Sequence, residues 1–340
     1  MHKYICYIAV LVFLVVSCSK GLDSTEVQDL QLMEIPPNFP ELTHPEGNEY
    51  TFERWSLGKQ LFYDPILSKD GKVSCASCHD PSLAFSDDVD VSKGSGGLLG
   101  TRNAPSLTNV GYHPYFTREG GVPTLEMQIL VPIQEHNEFD NNIVLIADTL
   151  SKIEKYVAMA DDAYGQMPNP FVITRALAQF ERSLISGQSA YDREYNYDLC
   201  GVMSASAIRG KQLFESERTS CTSCHSGFNF TDYSFQNNGL YLEYDDIGRA
   251  RFTQNDKDIA LFKVPTLRNI EVTAPYMHDG SIESLEEIIE HYNNGGYEHI
   301  NKSEFIKPLG LSEDERQDLV AFLKSLTDQK FINNKNFSNE

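Results

Sequence analysis

Two five-residue phrases constrain this chain more than anything else in it: CASCH at 75–79 and CTSCH at 221–225. C-x-x-C-H is an attachment signal for c-type haem, in which two thiols add to the vinyl groups and the adjacent histidine ligates iron. All three side chains must lie within one turn, because one porphyrin edge meets both sulfurs while the imidazole reaches the metal. With 7 Cys and 9 His in 340 residues, chance supplies roughly 0.004 copies, so two copies are not accidental. Zinc shared between the two Cys pairs is the main competitor; the directly following His, twice, argues against it. A thioredoxin-like pair would need a βαβ setting that neither motif has. Cys75, Cys78 and His79 are therefore assigned to one covalently bound haem c, and Cys221, Cys224 and His225 to a second.

The motif belongs to a longer repeat. GKQLF occurs at 58–62 and 210–214, shortly before each haem motif; APSLTN (104–109) matches VPTLRN (264–269), PYF (114–116) matches PYM (275–277), and TLEMQI (124–129) matches SLEEII (284–289). The later matches are read at an offset of 160 residues. Apolar residues spaced by three and four predict helices over 51–62, 143–159, 172–185, 204–214, 284–293 and 312–326. Ser284 with Glu287 and Ser312 with Glu315 fit the capping box. The expected fold is mainly α: two cytochrome c-type haem domains in tandem, 51–190 and 191–330, with an interface between the haem domains.

Outside these domains, residues 4–16 form a 13-residue apolar run that ends at VVSCSK. The run is short for a spanning helix and suits an export signal, and the small residue before Cys18 resembles a lipobox. Residues 1–18 are read as a lipoprotein signal peptide, 19–50 as a proline-bearing linker and 331–340 as a tail. The cell envelope or periplasm is the expected location, with a lipid anchor as the only membrane contact. Cys200, outside every motif, is expected to be structural. The net charge of −21 argues against nucleic acid, which demands a basic surface.

Each histidine fills one axial position of its iron, so the opposite position decides function. Near the second motif the candidates are Met277, His278, His291 and Tyr292. Projected from Leu285 at about 100° per residue, Ile288, Ile289 and Tyr292 fall on the apolar face of one helix and His291 falls off it. At the 160-residue offset, Tyr292 corresponds to Pro132, which has no donor atom. The first iron is then open to a small molecule. Gln128 lies one turn earlier and Glu138 follows, an amide and a carboxylate suited to orienting peroxide and moving its protons. His136 competes from the same loop.

These residues resemble the bacterial di-haem cytochrome c peroxidase and MauG family over about 50–326. The carriers are LGKQLFYDPILSKDGKVSCASCH, RNAPSLTN, TLEMQ, CTSCH and FKVPTLRNIEVTAPYMHDGSIESLEE. The resemblance implies a peroxidatic N-terminal haem, with Gln128, Pro132 and Glu138 on its distal side, and an electron-transferring C-terminal haem. It implies Tyr292 as an axial iron ligand, as in the MauG-like branch where typical peroxidases carry Met. It also implies one calcium ion held by the Asn103 side chain and the main-chain oxygens of Thr273 and Pro275.

The expected activity is reduction of hydrogen peroxide with electrons from a cytochrome or other redox protein. The alternatives are MauG-like oxidation of a partner protein and non-catalytic electron carriage. A homodimer is the expected assembly. Two departures stand out. The loop VSKGSGGLLGTRN lacks the distal histidine of typical peroxidases, and Arg118 occupies the place of an inter-haem tryptophan. Tyr115 or Phe116 is then the expected route between haems.

Overall fold

The computed structural model describes residues 33–339; the apolar run, Cys18 and residues 19–32 lie outside them. The first half contains α1 (Phe52–Tyr63), α2 (Leu125–Gln128), α3 (Leu130–Gln134), α4 (Ile143–Leu150), α5 (Glu154–Tyr164) and α6 (Pro170–Arg182). The second contains α7 (Ala190–Tyr195), α8 (Ala205–Phe214), α9 (Ala250–Thr253), α10 (Leu285–Asn294) and α11 (Glu313–Lys324), followed by α12 (Gln329–Ile332). Among the described residues the sheet content is one antiparallel pair, β1 (Phe235–Gln236) with β2 (Phe262–Lys263). The fold is mainly α, in two haem-type halves.

The repeated GKQLF has a packing reason. α1 crosses α6, and α8 crosses α11. A Cβ on Gly58 would lie 1.9 Å from the Ala176 carbonyl oxygen, and one on Gly210 would lie 1.8 Å from that of Asp318. Glycine at both crossings lets the backbones touch. The phenylalanines that end the two phrases then fill matching places: Phe62 packs on Phe180 at 4.9 Å between ring centroids, and Phe214 on Phe322 at 5.0 Å.

The 160-residue offset holds at the level of backbone shape. Asn109 and Asn269 are both left-handed, with φ of 57° and 60°. Each ties its own half together: Asn109 Oδ1 accepts from the Ser186 amide, and Asn269 Oδ1 from the Asp328 amide. Phe116 bridges Val122 as Tyr276 bridges Ile282. Phe116 therefore matches Tyr276, and the PYF and PYM phrases are one residue out of register. Thr124 caps α2 as Ser284 caps α10, with φ of −136° and −138°.

The halves dock reciprocally. The Asn103 amide donates to the His278 carbonyl at 3.0 Å, and the Lys263 amide donates to that of Arg118 at 2.7 Å. These four residues are two pairs related by the same offset. Tyr115 crosses the interface, its hydroxyl donating to the Tyr233 carbonyl and its ring stacking on Phe235. Phe116 instead sits in the first half's core. Trp55 is buried on α1 and donates to Ser183 Oγ, a packing role.

Several expectations change. The helix expected over 143–159 is two helices, because Ser151 Oγ takes the Asp148 carbonyl and Ile153 is extended. The break turns Tyr156 and Ala160 into the core. The capping box is complete at Ser312, whereas the Glu287 carboxylate bonds the amide of Glu283 rather than that of Ser284. Residues 33–50 are no free linker: Phe39 packs on Phe228 and Tyr112, and buried Asn48 bonds Glu126 and the Arg175 carbonyl. Residues 331–339 are no free tail either, since Phe331 and Phe337 are buried in the first half's core. Cys200 is exposed, so it contributes nothing to a core.

Candidate haem sites

Each C-x-x-C-H opens with a single 3-10 turn, Cys75–Ser77 and Cys221–Ser223. The His79 amide bonds the Cys75 carbonyl at 3.0 Å, and the His225 amide bonds that of Cys221 at 2.9 Å. This winding gathers both sulfurs and the imidazole at one edge. None of the four cysteines forms a disulfide. His79 Nδ1 lies 2.8 Å from the Phe85 carbonyl and His225 Nδ1 3.0 Å from that of Phe230. A carbonyl can only accept, so Nδ1 carries the proton and Nε2 keeps its lone pair. Burial lowers both imidazole pKa values, which keeps them neutral as metal ligation requires.

In the second half these groups line a mostly apolar cavity of about 250 Å³, walled by Leu285, Ile288, Ile289 and Tyr292 of α10 and by Leu319 and Leu323 of α11. Cysteine thiols, a histidine with free Nε2 and apolar walls together fit a covalently attached haem. Tyr292 is close enough to Cys221 and Cys224 to feel both thiols; burial, chiefly, raises its phenol pKa. Asn238 Nδ2 lies 3.5 Å from the Tyr292 hydroxyl and 3.2 Å from Met277 Sδ, while its carbonyl meets His291 Nε2 at 3.0 Å. His291 is thereby committed to the backbone. His278 is stacked on Phe262 at 4.3 Å. Of the four axial candidates, Tyr292 and Met277 are the two whose donor atoms meet at Asn238. No sequence pattern marks Asn238, which lies 54 residues from Tyr292 in the excursion after the second motif.

The corresponding wall of the first half follows from the offset: Leu125, Gln128, Ile129 and Pro132 match Leu285, Ile288, Ile289 and Tyr292. Where α10 is continuous, its counterpart splits into α2 and α3 at Ile129. Pro132 has no amide to bond the Gln128 carbonyl, which weakens the helix there. Gln128 Oε1 is buried without a hydrogen-bond partner in the protein, an acceptor that wants a donor. Glu138 lies within electrostatic reach of both Cys75 and Cys78. Burial and then Glu135 push its carboxyl up to about 7. By surface area Glu138 is exposed, so solvent screens part of what its protein surroundings impose on the carboxyl.

The loop that lacks the distal histidine packs directly on this acid, the Ser95 amide donating to the Glu138 carbonyl at 2.6 Å. His136 is exposed and pairs with Asp140, so it does not compete for the site.

A further acid was not singled out by sequence reasoning. Ala176 and Asp318 are the matching helix crossings, so Glu181 on α6 matches Leu323 on α11. Glu181 is buried, within reach of Cys75, and burial pushes its carboxyl up to about 8. The signal was an acid four residues after Leu177 on an apolar stripe.

Of the three residues expected to hold calcium, Asn103 is the one whose oxygens already have partners in the protein. Calcium takes six to eight oxygen donors. Asn103 is buried beside the interface, but its Oδ1 faces the Arg118 guanidinium at 3.4 Å, its main-chain oxygen accepts from the same nitrogen at 2.8 Å, and its Nδ2 donates to Val89. Thr273 and Pro275 are buried nearby in sequence to His278, which Asn103 contacts.

Comparison with known proteins agrees with this geometry. The family described as di-haem cytochrome c peroxidase matches residues 52–198, and the cytochrome c family matches 207–327. The methylamine utilization protein MauG of Methylorubrum extorquens is 37% identical over 323 residues, 92% of this chain and 90% of that protein.

This chain belongs to the di-haem cytochrome c peroxidase family.

The cytochrome-c peroxidase IdrP1 of Denitromonas iodatirespirans is 33% identical over 329 residues, 86% of this chain and 87% of that one. A MauG-like protein associated with microbial copper homeostasis superposes with a TM-score of 0.85 at 32% identity, covering 90% of this chain and 98% of that chain. As a di-haem peroxidase, the chain is an oxidoreductase acting on peroxide, and its two C-x-x-C-H sites are haem c sites. Among the described residues no helix is long and apolar enough to cross a membrane.

Proposed function

We propose that peroxide is reduced at the first haem site and that the second, whose iron His225 and Tyr292 would hold, stores or relays the oxidising equivalents. The observation that carries this reading is the exchange of Tyr292 for Pro132 at matched positions of the repeat: one site has a protein donor there and the other has none. A haem at the first site supplies the iron at which peroxide is taken up. Around it, the Glu138 carboxylate accepts the proton of the near peroxide oxygen and returns it to the departing one. Two electrons and two protons convert one peroxide to two waters. Gln128 orients the oxygens through its side-chain amide. A reduced cytochrome or similar redox protein supplies the electrons. The residues before 33 support export to the cell envelope with a lipid anchor at Cys18.

The test is an absorption and EPR spectrum of the haem-loaded protein before and after peroxide. A high-spin component that reacts rapidly supports the assignment. Two low-spin, peroxide-inert haems would leave an electron carrier instead. A second reading, oxidation of residues on a partner protein, is favoured by Tyr292, because a phenolate donor suits ferric and higher-valent iron. Steady turnover with a reduced small cytochrome argues against that second role.

A further inference from the structure

At the interface end of the second cavity, two cations stand without anionic partners. Arg118, from the first half, and Lys263, from the second, both line the cavity. Neither takes part in an ion pair among the described residues. Their hydrogen bonds go to neutral groups: Arg118 Nη2 to the Asn103 carbonyl at 2.8 Å and Lys263 Nζ to the Tyr115 carbonyl at 2.9 Å. Arg118 Nε is buried with no partner. The imidazole nearest Lys263, His113 at 3.5 Å, is kept neutral by burial and by that lysine.

The acids in the neighbourhood are engaged elsewhere. Glu119 and Asp246 both pair with Arg102, at 2.5 and 2.6 Å, and Asp279 accepts from the Tyr241 hydroxyl at 2.7 Å. Burial drives the Arg118 and Lys263 pKa values down, to about 10 and about 8. Both side chains are half-buried, and charge withdrawn from water without a partner is unfavourable unless a counter-charge arrives or the group gives up its charge. The Lys263 amide bonded to the Arg118 carbonyl holds the two residues together across the domain boundary.

We propose that Arg118 and Lys263 form a two-cation seat for a carboxylate, and that the carboxylate is a propionate of the second haem. Guanidinium offers a planar fork that matches a carboxylate, and the ammonium adds a second point charge. This rests on the haem filling the cavity. The seat also gives Arg118 a role at the family's tryptophan position: it fixes the haem edge that faces the first half.

The test uses haem-loaded full-length protein, with haem content checked at two per chain so that loss of haem is not mistaken for loss of the seat. Arg118→Leu and Lys263→Leu should each shift the second haem's ferric-to-ferrous ratio about tenfold toward ferric at a fixed electrode potential. Each should also move its propionate bending band in resonance Raman. Arg118→Lys and Lys263→Arg keep the charge and should retain most of the wild-type potential, which separates charge from packing.

Wild-type protein titrated with acetate distinguishes the source of the carboxylate. No response supports the propionate. A saturable change lost in both Leu variants keeps the seat but overturns the propionate assignment. Unchanged potential and unchanged Raman band in the two Leu variants overturn the seat itself.

Discussion

The Asn238 amide nitrogen stands between the Tyr292 hydroxyl, at 3.5 Å, and Met277 Sδ, at 3.2 Å. A hard oxygen donor and a soft sulfur donor therefore share one side-chain donor beside the second haem site. Phenolate favours ferric iron, so Tyr292→Phe and Tyr292→Met should raise the second haem's midpoint potential. Asn238→Ala removes a hydrogen bond from the phenol oxygen and should move the potential the opposite way, by about 1 kcal/mol. Redox titration of the three variants checks both signs.

The first site should respond to Glu138. Its carboxyl is raised to about 7, so the proton-accepting form grows as pH rises through 7. The rate of reaction with peroxide should climb between about pH 6 and pH 8 and then level. Glu138→Gln should lose about 10²–10⁴-fold and flatten the profile. Stopped-flow absorbance against pH reads both.

Pro132→Met gives the first site a donor where Tyr292 stands in the second, and restores the backbone N–H that proline lacks. The expected result is a new low-spin signal in EPR and at least tenfold slower reaction with peroxide. An unchanged high-spin signal would separate the geometry of α3 from that of α10.

Glu181 links stability to pH. Its carboxyl sits at about 8 in the folded chain against an ordinary 4.5. Between those values the unfolded chain releases a proton that the folded chain keeps, so stability falls as pH rises from about 4.5 to about 8 and is flat outside that window. Glu181→Leu, the residue of the matching position, should leave Tm unchanged near pH 4 and raise it at pH 8, by about 1–3 kcal/mol of stability. Thermal melts at the two pH values check it.

What the sequence revealed was local. The haem motifs, the glycine of GKQLF, the left-handed Asn109 and Asn269 and the caps Thr124 and Ser284 each act within a few residues, so their spacing carries them. Tyr292 and Pro132 were legible because a repeat lets one half be read against the other. The split between α4 and α5 was hidden, since Ser151 competes for a carbonyl inside an unbroken apolar period. The PYF register was hidden because two similar phrases lie one residue apart. Asn238, Arg118 with Lys263 and the seating of Phe39 depend on pairs that meet across long separations, and nothing in either partner's neighbourhood announces the other.

Phe331 and Phe337 pack against Phe85 and Phe180, so the core of the first half is closed by a segment that follows the second half along the chain. The two halves are therefore not separable by a single cut between them: a fragment that stops after α6 leaves behind two aromatic rings of its own core.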